Sequence, residues 1–158
     1  MRRPRKSFRQ KLADSKDLPR LEAIPPQLAV RWGVTGTMVI PAPRDVDEEM
    51  RRVPRGQLIT VNQIRAALAR KHGVDTACPI TTGIFASIAA RAAGEDEAEG
   101  RRRVAPYWRT LKGSGELNPK YPGGLAEQKK RLRAEGHEIV TRGKRAFVAE
   151  PERRLVKG

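Results

Sequence analysis

A single cysteine, Cys78, in 158 residues excludes an internal disulfide framework and any cysteine-cluster zinc site. Two histidines, His72 and His137, are too few for a His-rich metal centre, and no cofactor is expected. Aromatic residues make up 4% of the chain and the hydrophobic class 38%. The core is therefore modest, and part of the chain is expected to stay unpacked. No apolar run approaches the roughly 20 residues that a bilayer-spanning helix requires. The basic opening, Met1 to Lys11, is not followed by the apolar stretch of a secretory signal. The expected location is cytoplasmic, or nucleoid-associated in a bacterium.

What the chain has in excess is positive charge. Lys and Arg number 33 against 18 Asp and Glu, a formal net charge of +15, and the sequence pI is about 11.0. Like charges repel in the compact state, and a polyanion relieves that repulsion by releasing its counterions. Nucleic acid, double-stranded DNA first, is the expected partner of a monomeric chain. The plainer alternative is a solvated surface kept soluble by its charge. No basic stretch is interleaved with large apolar residues along one helical face, which disfavours a membrane surface.

Residues 1–36 read as a basic arm, extended, partly docked or disordered. Arg2, Arg3, Arg5, Lys6, Arg9 and Lys11 crowd its start, and Pro4, Pro19, Pro25 and Pro26 interrupt any long helix. Leu18, Leu21, Ile24, Leu28, Val30 and Trp32 can fasten its second half to a core. The domain is placed at residues 37–150, and residues 151–158 read as a charged tail. Acids from Asp45 to Glu49, then Arg51 and Arg52, predict a helix closed by Pro54 and Gly56. Thr60-Val61-Asn62-Gln63 is a capping box. It predicts a helix over 61–72, with Ile64, Ala67 and Leu68 on one face and Gly73 as its stop.

A second helix is expected from about residues 76–79 to Gly94, burying Ile80, Ile84, Phe85, Ile88, Ala89 and Ala92. Residues 95–100 read as an acidic exposed loop, followed by the basic run Arg101, Arg102 and Arg103. A third helix fits residues 125–135, and two strands about a turn fit residues 138–148. The fold class that results is mostly α: a winged helix-turn-helix with a small C-terminal β-hairpin wing and the basic N-terminal arm. No internal repeat is present.

At Val53-Pro54-Arg55-Gly56-Gln57-Leu58-Ile59-Thr60 and Pro106-Tyr107-Trp108-Arg109-Thr110 these residues meet a family. With Ser114-Gly115-Glu116-Leu117, Tyr121-Pro122-Gly123-Gly124 and Lys129 to Gly136, their order and spacing from Pro41 to His137 are similar to one known pattern. The chain resembles the DNA-binding domain of O6-alkylguanine-DNA alkyltransferases and their alkyltransferase-like relatives. The first two stretches resemble the family's V-P-x-G-x-V-x-T and P-C-H-R-V.

The resemblance implies a thiolate nucleophile where this chain has Tyr107, and its partner His where it has Trp108; only Glu135 survives of that relay. A phenol with an ordinary pKa of about 10 is a poor nucleophile near neutrality, so alkyl transfer is expected to be absent. Alkyltransferase-like members also lack the cysteine and bind damaged bases without repairing them. Tyr107, Trp108, Arg109, Tyr121 and Glu135 are accordingly the lesion-pocket candidates. Tyr107 and Trp108 either stack on an extruded base or simply pack in the core, and Tyr121 either closes the pocket or packs a turn.

Thr60 and Val61 stand at the family's first DNA-contacting helix, where Val61 replaces its Tyr. Ile80 falls where relatives insert an Arg, and an Ile can wedge apolarly between base steps. Thr81 and Thr82 are candidates for phosphate contact at a helix start. Arg101, Arg102, Arg103, Lys129, Lys130, Arg133, Arg142, Lys144 and Arg145 are either phosphate contacts or a solvated face.

Three functions remain open on the sequence. The first is a non-enzymatic alkyltransferase-like protein recognising damaged or distorted DNA, with a repair protein as a further partner. The second is a general architectural, regulatory or RNA-binding module on the same fold. The third uses Cys78 as an alkyl acceptor.

Overall fold

The computed structural model describes residues 6–157; Arg2, Arg3, Pro4 and Arg5 of the basic arm lie outside them. In chain order the elements are α1 (Phe8–Ala13), β1 (Arg20–Ala23), α2 (Pro26–Trp32), β2 (Thr37–Ile40), α3 (Pro43–Arg51), β3 (Ile59–Thr60), α4 (Val61–His72), β4 (Thr76–Ala77), α5 (Pro79–Ala98), β5 (Thr110–Leu111), α6 (Gly124–Ala134), β6 (Ile139–Arg142) and β7 (Arg145–Val148). The described residues are mostly helical and hold three small sheets: β1-β2-β4, β3-β5 and the β6-β7 hairpin.

Local signals set the ends of several elements. The capping box forms in full: Gln63 N donates to Thr60 Oγ1 at 3.1 Å, and Thr60 N donates to Gln63 Oε1 at 3.0 Å. Gly73 ends α4 in the left-handed region at φ 64°. Pro43 and Pro79 occupy first-turn positions of α3 and α5, where a missing N–H costs nothing. Gly143, at φ 60°, turns the hairpin, whose register pairs Ile139 with Val148 and Arg142 with Arg145.

The centre of the core is α5, against which α1, α3 and α4 all pack. Its buried face matches the expected one at Ala89 and Ala92 and departs from it at Ile80 and Ile84; Phe85 and Ile88 are half-buried. Ala86, Ala89, Ala90, Ala92 and Ala93 are buried, while Ile80 and Ile84 are 59% and 53% exposed. Alanines let three neighbouring backbones approach one helix closely, and Val46, Met50, Ile64 and Leu68 fill the space they leave. The helix also passes through Gly94 rather than stopping there, so residues 95–98 continue α5 instead of forming a loop. Gly94 is needed for approach: a Cβ there would lie 2.8 Å from Pro122 Cγ.

Two segments that looked peripheral are built into the fold. The supposed arm is helical over α1 and α2, and β1 pairs antiparallel with β2. Leu12 packs against the main core and Ile24 is itself buried. At the other end, Leu58 N donates to Arg154 O and Val156 N donates to Leu58 O, each at 2.8 Å. Gln63 Nε2 adds a bond to Val156 O at 2.8 Å. The tail thus lies beside β3 as a further extended segment.

Candidate nucleic-acid interface

Residues 106–109 bring together all five sequence-derived pocket candidates, Tyr107, Trp108, Arg109, Tyr121 and Glu135. Tyr107 is 1% exposed; its ring meets Trp108 and Tyr121 edge to face, with centroids 5.3 and 5.9 Å away. Its hydroxyl donates to Pro122 O at a long 3.5 Å, and burial pushes its pKa up to about 12. Trp108 Nε1 donates to Glu135 Oε2 at 2.7 Å. Arg109 donates to both Glu135 oxygens through Nε, at 2.9 and 3.1 Å, and to Val53 O at 2.7 Å. Gly56 N supplies a further bond to Glu135 at 3.0 Å.

Burial opposes the Glu135 charge, but the Arg109, Gly56 and Trp108 donors outweigh it and hold the carboxyl below its ordinary range. The Arg131 guanidinium sits 4.6 Å from the Trp108 ring centre and 5.3 Å from that of Tyr107. Arg131 is itself paired with Glu97 and Glu127, at 2.9 Å each. The arrangement ties the 53–56 turn, residues 107–109 and the end of α6 into one strut. Beside Trp108 lies a recess of about 220 Å³.

A larger cleft, of about 650 Å³, opens elsewhere: between the start of α4, one face of α5 and residues 112–121, with α1 along its edge. The loop lies close because a Cβ on Gly113 would collide with the Asn62 amide. Lys11, Arg91, Lys112 and Lys120 line the cleft, and no carboxylate does. Glu116 comes within 3.9 Å of Lys112 Nζ. Its carboxylate is engaged by Arg145 at 2.7 Å, a bond that holds it below its usual range. Ile80 and Ile84, one turn apart on α5, bring apolar surface into this cationic setting. Tyr121 forms part of the wall at 3% exposure, and burial pushes its phenol upward.

The remaining sequence-derived residues divide between these places and neither. Val61 and Ile80 line the cleft; Tyr107, Trp108, Arg109 and Glu135 do not. Thr60 is 6% exposed and spent on its helix cap, and Thr82 is fully buried with its hydroxyl donating to Cys78 O at 2.7 Å. Neither is free to meet a phosphate. Thr81 donates to Cys78 Sγ at 3.2 Å; that thiol is buried and does not line the cleft. Arg101, Arg102 and Arg103 are exposed beyond α5, with Arg101 3.4 Å from Asp96. Arg142, Lys144 and Arg145 are exposed on the hairpin, Lys129 is partly exposed on α6, and Lys130 and Arg133 are exposed there.

Sequence reasoning missed Phe8, Arg91, Lys112 and Lys120 as cleft residues. Arg91 carried a signal, being the one basic residue in the α5 sequence. Among the described residues no group of three or more His, Cys, Asp or Glu could hold a metal ion, and no helix is long and apolar enough to cross a membrane.

No protein-family model matches the chain, and no curated protein matches it. Among solved structures it is similar to S. pombe Atl1 in complex with damaged DNA containing O6-carboxymethylguanine, at 19% identity and a TM-score of 0.48, over 73% of this chain and 94% of that one. It is also similar to S. pombe ATL in complex with DNA, at 18% identity and a TM-score of 0.46, over the same shares of each chain.

Proposed function

We propose that this protein is a non-enzymatic, alkyltransferase-like DNA-binding protein that takes damaged or distorted duplex into the cleft between α4, α5 and residues 112–121. One observation carries the reading: four cations and two exposed isoleucines line that cleft without a single carboxylate. Phosphates neutralise Lys11, Arg91, Lys112 and Lys120 with release of counterions. Ile80 and Ile84 meet the sugar edge or an unstacked base, as apolar side chains do when they enter a disturbed step. The volume is sufficient for one extruded base beside Tyr121. Exposed Arg142 and Lys144 on the β6-β7 turn, in the role of a wing, add backbone contacts.

The chemistry of the former motif supports binding without transfer. With its pKa pushed up to about 12, Tyr107 stays protonated at neutral pH, and its one hydrogen bond goes to a carbonyl rather than a base. Cys78 lies in a separate apolar cluster with Ile24 and Met38. A second reading, a general duplex- or RNA-binding module, is favoured because Trp108 and Tyr107, the latter packed behind Tyr121, do not themselves line the cleft.

Binding measured across salt on plain duplex, duplex with one O6-methylguanine, single strand and an RNA hairpin tests these readings. The expected result is a steep salt slope with the modified duplex held most tightly. Equal affinity for both duplexes would favour the general module. Radiolabelled alkyl groups appearing on the protein would overturn the non-enzymatic reading, and affinity insensitive to salt would overturn the cleft.

A further inference from the structure

α1 has only six residues and buries none of them fully; a helix of that length does not hold itself together in water. Leu12 fastens it to the main core, and its four first amides are all met as well. Ser7 N donates to Gln10 Oε1 at 2.8 Å and Gln10 N to Ser7 Oγ at 3.1 Å. Phe8 N and Arg9 N donate to the two oxygens of Glu95, on α5, at 3.0 and 2.9 Å. Arg9 also pairs with Glu99 and lies 3.6 Å from Asp96. The acidic end of α5 thus caps a helix 86 to 87 positions earlier in the chain.

The face of α1 that results is a wall of the cleft. Phe8 and Lys11 both line it, and the Phe8 ring has Lys11 Nζ 4.8 Å and the Arg91 guanidinium 5.3 Å from its centre. We infer that α1 is a nucleic-acid-contacting wall, with Lys11 on a phosphate, and that Glu95 is the positioning residue that keeps it there. This rests on the reading of the cleft as a nucleic-acid site.

Simple electrostatics and a positioning role for Glu95 predict effects of opposite sign. Replacing Glu95 with Ala raises the net charge, so generic attraction would tighten binding to a polyanion. If Glu95 instead holds α1, Glu95→Ala in the full-length protein weakens binding to a 20-base-pair duplex by about fivefold, the worth of one phosphate contact near 0.15 M salt. Its log–log salt slope falls by about one unit, and the amides of residues 8–12 lose hydrogen-exchange protection. Lys11→Ala gives the same loss of slope with protection kept, and the double variant binds no more weakly than Glu95→Ala alone. Glu95→Gln keeps one acceptor and falls between.

Unchanged or tighter binding by Glu95→Ala, or α1 amides that remain protected, would overturn the inference. Failure of the underlying reading shows differently: the unaltered protein would itself bind the duplex without a salt slope, and the role of α1 would fall with it.

Discussion

Around Glu135 each charge meets its complement, whereas the cleft beside α5 presents four exposed cations with no carboxylate among them. Both places combine basic residues with aromatic rings, so composition does not tell them apart. Geometry does. Arg109 and Glu135 are 14% and 7% exposed and share three hydrogen bonds, and Trp108 and Gly56 fill what acceptor capacity Glu135 has left. The cleft cations stand in water, where they hold counterions that a phosphate backbone can displace. A saturated ion pair fixes architecture; a cationic surface whose one near carboxylate, Glu116, is already engaged by Arg145 has room for an external anion.

Removing Glu135 is the strongest way to break this contrast. Glu135→Ala strands a half-buried Arg109 and is expected to cost about 3 kcal/mol of stability, the low end for a fully buried pair, read by urea unfolding. Duplex affinity of the folded protein should change less than twofold. The same cluster sets the acid response. The folded pKa of Glu135 lies below the unfolded value of about 4.3, so its stabilising share is complete above that pH and is lost as pH falls through the folded value. Burial lowers His137 likewise. Its share is complete above about 6.5 and declines on acidification below that. A stability profile against pH should therefore fall in two stages; Glu135→Gln should shrink the lower one and, by removing a charge that raises His137, deepen the upper one.

The cleft predicts the reverse pattern. Replacing Lys112 and Lys120 together with Ala should lower the salt slope by about two units and duplex affinity by roughly thirtyfold near 0.15 M salt. The melting temperature should hold within a degree or two. A large stability loss, or an unchanged slope, would make these lysines part of the scaffold instead.

The smallest effect is expected at Tyr107. Its hydroxyl makes one bond at 3.5 Å, so Tyr107→Phe should alter stability by less than about 1 kcal/mol and leave DNA binding intact. Loss of discrimination between modified and plain duplex in that variant would return Tyr107 to the lesion site and erase the contrast between the two regions.

The elements that were legible beforehand are those whose signals are local. Thr60 and Gln63 are three residues apart and cap the same helix, and Gly143 turns a hairpin whose strands adjoin it. The buried face of α5 was legible only in part: Ala89 and Ala92 are buried as expected, whereas Ile80 and Ile84 are exposed. Ile80, Ile84 and Ile88 recur at helical spacing, and so do Ala86, Ala89, Ala90 and Ala93; periodicity accepts either stripe as the buried one. Hydrophobicity favours the isoleucines. Close approach of α1, α3 and α4 favours the alanines, and that is a property of the assembled helices. The candidate site shared this fate, since Lys11, Arg91, Lys112 and Lys120 come from distant parts of the chain.

By itself, then, the sequence determined the charge of +15, the mostly helical class and the positions where α4 and the hairpin begin and end. Each follows from composition or from bonds spanning a few residues. Tertiary structure decided which face of α5 is exposed, that α1 folds against an acidic cap from α5, and that the aromatic motif became a strut while cations gathered elsewhere. Those outcomes depend on groups far apart in sequence, whose proximity, burial and mutual neutralisation exist only once the chain has packed.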